Sequence, residues 1–145
     1  MTEESELQNQ PKLPIVMVLD QDEIFHFIIS RVLNRDGLNS QVINFNSVTS
    51  AVSYLLENAE ETSLLPELIL LELYFHSDQD GWVFIDLFEK IKHRLIRQPK
   101  VLVVSYTMKH ADVSRIGSNQ SIFDYVSKPL DSESIDFIRD LIKPH

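Results

Sequence analysis

"LPIVMVLDQDEIFHFIISRVLN", Leu13 to Asn34, carries the reading on which the fold turns. Leu13 to Leu19 is continuously apolar, the pattern of a central parallel strand covered on both faces. Three polar residues, Asp20, Gln21 and Asp22, end that run. Beyond them Phe25, Ile28, Ile29 and Val32 recur at helical spacing, and Gly37 supplies a stop. A buried strand, a polar turn and an amphipathic helix make one half of a βαβ unit, which needs further copies of itself to cover its apolar faces.

Working outward, those copies are present. "SQVINF" reads as a second strand, followed by "SVTSAVSYLLEN", in which Ser47 is a helix cap and Val48, Ala51, Val52, Leu55 and Leu56 form a stripe. "ELILLELYF", Glu67 to Phe75, is a third strand that opens on Glu67 and carries a second carboxylate, Glu72, set among apolar residues near its far end. "WVFIDLFEKIKHRLIR" places Phe84, Leu87, Phe88, Ile91 and Leu95 on one helical face, and "KVLVVS" is a fourth strand. A weaker helix from about Lys109 to Ile116 ends at Gly117, and "SIFDYVSKPL" carries a fifth strand before a helix from about Ser132 to Ile142. Five strands alternating with five helices predict an α/β fold with a parallel sheet. Such sheets place their sites outside the carboxyl ends of the strands.

Composition bounds the function. A chain of 145 residues suits one domain, burying roughly 70% of its unfolded surface. Residues 1–12 read as a flexible acidic tail and 13–145 as the domain. The tail has no basic start or apolar run, so it is no secretory signal, and no segment reads as a membrane anchor. The absence of cysteine removes disulfides and thiolate chemistry, and is compatible with a cytoplasmic location. A net charge of -9 argues against nucleic acid as a partner, since phosphate binding relies on Lys and Arg displacing counterions. The one basic cluster, Lys90 to Lys100, reads as the cationic end of a helix. Three glycines leave no glycine-rich phosphate loop, and the motifs of zinc and serine hydrolases are absent, so no enzyme is expected.

The residues after the strands are Asp20, Gln21 and Asp22, then Glu72, then Ser105, then Lys128 with Pro129. In this order, on "VMVLDQDEIF", "LILLELYF", "VLVVS" and "YVSKP", the chain resembles the receiver domain of two-component response regulators over about Leu13 to Ile142. The resemblance implies a flavodoxin-like (βα)5 receiver fold, its parallel sheet ordered 2-1-3-4-5 with helices on both faces. It also implies that Glu72 stands at the phosphoacceptor position, that Asp20 belongs to a metal-binding acidic pair, that Ser105 and Lys128 contact phosphoryl oxygens, and that Tyr125 is the switch aromatic. In the family the face of the fourth helix, fifth strand and fifth helix meets partners, here with Tyr106 and Tyr125.

Three features depart from that pattern. Glu72 replaces the aspartate, and its extra methylene moves the attacking oxygen by about 1 to 1.5 Å; an error of about 1 Å can cost on the order of a hundredfold in a positioned reaction. Gln21 replaces the second acid, and an amide is a poorer ligand for Mg²⁺. Gly81 lies nine positions beyond Glu72, one more than usual, and the family's Met-Pro pair is missing. Asp22 could join Asp20 and Glu72 in a weak metal site, but it is also placed to cap a helix. His76 reads as a solvated loop residue. Glu72 is expected to pair with Lys128, either as a plain ion pair or in partial imitation of the phosphorylated state.

The expectation is therefore a stand-alone atypical receiver that signals by binding a protein without phosphorylation. A histidine kinase, a downstream regulator or a second copy of the chain could be that partner. No cofactor is required, and Mg²⁺ binds weakly if at all. The alternatives are a conventional phosphoacceptor using Glu72, Asp78 or Asp80, and a metal-responsive module using Asp20, Asp22 and Glu72.

Overall fold

The computed structural model describes residues 13–35, 39–77, 79–106 and 108–142. The acidic tail, the stop at Gly37 and Asp78 lie outside those residues, as does 143–145. The strands are β1 (Ile15–Leu19), β2 (Gln41–Phe45), β3 (Leu68–Leu71), β4 (Lys100–Ser105) and β5 (Asp124–Ser127). The helices are α1 (Glu23–Leu33), α2 (Val48–Glu57), α3 (Asp80–Ile91), α4 (His110–Gly117) and α5 (Ser132–Ile142). The strands form a five-stranded parallel sheet in the order β2-β1-β3-β4-β5, the flavodoxin-like receiver arrangement expected from the sequence.

Alternation along each strand sorts its side chains between two cores. Met17, Leu19, Ile69, Leu71, Val101 and Val103 pack with Ala51 and Leu55 of α2, Phe84 and Phe88 of α3, and Ile116 of α4. Val16, Val18, Leu68, Leu70, Leu102 and Val104 pack with Phe25, Ile29 and Leu33 of α1 and with Ile138 and Ile142 of α5. The three central strands are thus apolar on both sides, which is why their sequences run without polar interruption. The register, with Leu19 beside Leu71 and Ser105 beside Ser127, brings the strand ends level.

Some faces differ from the expectation. Ile28 points outward at 44% exposure, because the inner face of α1 follows Phe25, Ile29 and Leu33 at strict four-residue steps. Leu87 is only half-buried, while Trp82 and Ile85 take inner positions. The third helix ends at Ile91, passes through a single 3₁₀ turn over Lys92–Arg94, and turns extended at Leu95, which still reaches the core. Arg97, expected within the helix, instead donates to the carbonyls of Thr62, Leu65 and Pro66 and pairs with Glu67 at 3.2 Å. Lys92 donates to Ser121, so part of the basic cluster is used in tying loops to the fold.

Candidate functional site

Backbone bonds carry the strand pairing past the strand ends and so fix the site residues. Asp20 N–H donates to Phe45 O at 3.0 Å, Glu72 N–H to Leu19 O at 3.0 Å, and Lys128 N–H to Ser105 O at 2.7 Å. Asp20, Glu72, Ser105 and Lys128 are all buried. Asp20, Glu72 and Lys128 line a cavity of about 620 Å³ whose walls also include Asp22, Tyr74 and Tyr106, and Ser105 joins them through its bond to Glu72. The four strand-end residues singled out in the sequence therefore do converge.

Their pairing is more specific than the sequence suggested. Lys128 Nζ lies 2.5 Å from Asp20 Oδ2 and 3.7 Å from Glu72 Oε2, so the ammonium belongs first to Asp20 and only second to Glu72. The rings of Phe25 and Tyr106 stand 4.2 and 5.1 Å from the same nitrogen, completing its desolvated surroundings. Ser105 Oγ donates to Glu72 Oε1 at 3.0 Å. Glu72 Oε2 is buried without a hydrogen-bond partner. The Lys128–Pro129 peptide bond is cis.

Burial pushes the Glu72 carboxyl above the usual carboxylate range; the Lys128 ammonium, the Ser105 hydroxyl and the Tyr74 backbone N–H oppose the shift, and the Asp20 charge adds to it. A carboxyl that binds its proton more tightly when folded contributes stability that is fully present below its unfolded value. That contribution is lost as pH rises through the folded one. Glu72→Gln keeps the acceptor for Ser105 and removes the titration. The stability of the wild type relative to E72Q is accordingly expected to fall as pH rises from 4.5, the ordinary value, toward neutrality. Urea unfolding at a series of pH values checks this, and a relative gain with rising pH would contradict it.

Asp22 is the N-cap of α1, its Oδ1 accepting from Ile24 N–H at 3.0 Å and Phe25 N–H at 3.3 Å. Asp20 Oδ1 in turn accepts from Asp22 N–H at 2.9 Å. As arranged, these residues do not fit a divalent cation. One oxygen of Asp20 is held by an ammonium, one oxygen of Asp22 is held by the helix, and among the described residues no three acidic or histidine side chains are grouped to hold a metal.

The loop after Glu72 is tightly built. Asp80 Oδ2 accepts from the backbone N–H groups of His76 and Ser77, so that carboxylate serves the turn into α3. His76 is not merely solvated: its Nε2 lies 3.1 Å from Asn46 O, tying this loop to the one after β2. Gly81 sits so close to the preceding loop that a Cβ there would stand 2.5 Å from Leu73 Cα and 3.1 Å from Glu72 O. Tyr106 leans over the pocket rather than lying only on the partner-facing side, whereas Tyr125 is 39% exposed on the edge strand. Phe25, Tyr74, Trp82 and Asp112 carried no site signal in the sequence. Phe25 read as core, and Asp112 is one acid in the first turn of a helix.

No family model and no curated protein matches the chain. Solved structures do. A two-component response regulator from Cytophaga hutchinsonii is 20% identical, with 91% of this chain and 98% of that one aligned at a TM-score of 0.76. A phosphorylated cyanobacterial phytochrome response regulator is 20% identical over 89% of this chain and 91% of that one, TM-score 0.66. The Mn²⁺-bound form of another response regulator is 21% identical over 90% and 91%, TM-score 0.65. At these identities the likeness is one of fold, and the fold is that of response-regulator receivers.

Proposed function

We propose that this chain is a receiver-like signalling module that binds a protein partner without being phosphorylated, and that it is not an enzyme. The observation that carries the reading is the state of Glu72. It is a glutamate at the acceptor position, buried, with one oxygen bonded by Ser105 and with the neighbouring ammonium already held by Asp20. Phosphoryl transfer is mostly positioning and charge stabilisation. Here the groups that would receive phosphoryl oxygens are engaged with the protein's own carboxylates. The added methylene and the raised carboxyl pKa both work against attack.

Mg²⁺ is not needed in this reading, since the residues that would hold it are committed to Lys128 and to the cap of α1. The partner is a signalling protein, a histidine kinase or downstream regulator or a second copy, met on the side of α4, β5 and α5. Phe123 at 50% exposure and Tyr125 at 39% offer apolar surface there. The net charge of -9 and the lack of cysteine agree with a cytoplasmic protein that does not bind nucleic acid. Among the described residues no helix is long and apolar enough to cross a membrane.

The conventional reading, in which the chain accepts a phosphoryl group, draws on the phosphorylated neighbour. Incubation with acetyl phosphate and Mg²⁺ followed by intact-mass measurement separates the two. The expected result is an unmodified chain, and a stable stoichiometric gain of one phosphoryl group would sink the proposal. Glu72→Asp under the same conditions asks whether the methylene alone is responsible. A modified E72D beside an unmodified wild type would assign the block to side-chain length.

A further inference from the structure

Helix α4 has little of its own to hold it. It is eight residues long, its N-cap residue Lys109 makes no side-chain capping bond, and Ile116 is its one fully buried side chain. Helices this short are marginal without tertiary support. The support comes from outside the helix. The Tyr74 hydroxyl donates to Asp112 Oδ2 at 2.5 Å and accepts from the Lys109 backbone N–H at 3.0 Å. Tyr74 thus supplies an acceptor for the start of α4, where helix N–H groups lack intrahelical partners. Trp82 Nε1 of α3 donates to the other oxygen of Asp112 at 2.9 Å. Arg115, one turn further along α4, lies 4.0 Å from the centre of the Trp82 ring and 3.9 Å from Asp86. Burial, reinforced by the bond to Asp112, pushes the Tyr74 hydroxyl up to about 12, so it remains a donor at any physiological pH.

The other end of Tyr74 is at the pocket. It lines the cavity, stands two residues beyond Glu72, and its backbone N–H faces the Glu72 carboxylate. Tyr125, the aromatic expected to couple pocket to surface, is by contrast exposed on the edge strand.

We propose that Tyr74 and Asp112 connect the Glu72 pocket to α4, setting the position of that helix by a route that does not pass through Tyr125. The inference deepens the reading of the pocket as a signalling site and rests on it. A change at Glu72 shifts the Tyr74 backbone, the hydroxyl moves with it, and the first turn of α4 follows.

The test uses amide exchange across residues 108–117 and the emission of Trp82, the single tryptophan, whose ring nitrogen is bonded to Asp112. Tyr74→Phe keeps the ring in the pocket and removes the hydroxyl. It is expected to speed exchange in α4 by roughly tenfold or more, with β1 and β3 amides unchanged, which shows the fold intact. Tyr125→Phe is expected to leave α4 exchange as it was. Glu72→Gln is expected to alter Trp82 emission and α4 exchange in the wild-type background and to add nothing in Y74F. Unchanged α4 protection in Y74F, equal loosening in Y125F, or an E72Q effect of the same size in both backgrounds would each overturn the proposal. These outcomes are independent of the phosphoryl assay: a clamp can fail in a chain that takes no phosphoryl group, and hold in one that does.

Discussion

Lys128→Met is expected to cost about 3 to 5 kcal/mol of folding stability at neutral pH, the range found when one partner of a buried ion pair is removed. The substitution preserves the apolar stem and its volume, so packing loss is small. What it removes is the charge that lies 2.5 Å from Asp20 and 3.7 Å from Glu72, with the Lys128 and Asp20 side chains only 3% and 4% exposed. Two carboxylates then share a pocket with no cation. Urea denaturation measures the loss, and the double variant D20N/K128M is expected to recover much of it, because the uncompensated charge is the main penalty. Freed oxygens of Asp20 and Glu72 also make the variant a better ligand for a divalent ion. Added Mg²⁺ is expected to raise the unfolding midpoint of K128M more than that of the wild type. A loss below about 1 kcal/mol, the level of a solvated surface pair, would mean that the bridge is not desolvated.

Gly81→Ala should be the second most damaging change, costing about 3 kcal/mol, at the upper end of what overpacking a tight contact does. The obstacle at 2.5 Å is the Cα of Leu73, a backbone atom that cannot rotate aside, and Gly81 N–H also donates to Leu73 O at 3.0 Å. Relief requires moving Leu73 or the start of α3, and Leu73 is the residue between Glu72 and Tyr74. The damage is therefore expected to reach the pocket, visible as changed Trp82 emission below the unfolding transition. Gly117 provides the control. A Cβ there meets nothing within 4 Å, and alanine at a helical position is expected to stabilise by about 0.5 to 1 kcal/mol. Similar losses at both glycines would show that close approach is not what Gly81 provides.

The sheet and the identity of the strand-end residues were legible because they depend on local pattern. Unbroken apolar runs mark strands covered on both faces, and the polar residue that ends each run must sit at the carboxyl end of its strand. Asp22 as a helix cap was legible for the same reason, since its role is settled within three residues. Which carboxylate holds Lys128 was not. That choice depends on about an ångström of reach between side chains 108 residues apart in one case and 56 in the other, set by strand register rather than by spacing. The Tyr74–Asp112 bond joins residues 38 positions apart and leaves no periodic trace. The overlong third helix had a different cause. Leu95 keeps the apolar spacing but enters the core from an extended backbone, so periodicity persisted where the helix had stopped.

The Lys128–Asp20 bridge also has a consequence for biosynthesis. A ribosome delivers Asp20 with the first strand and Glu72 with the third, but their counter-charge arrives only with the last strand. Without β5, the bridge's ammonium is missing from beside Asp20 and Glu72. The charge at the strand ends is thus balanced by this ammonium only once β5 has paired with β4.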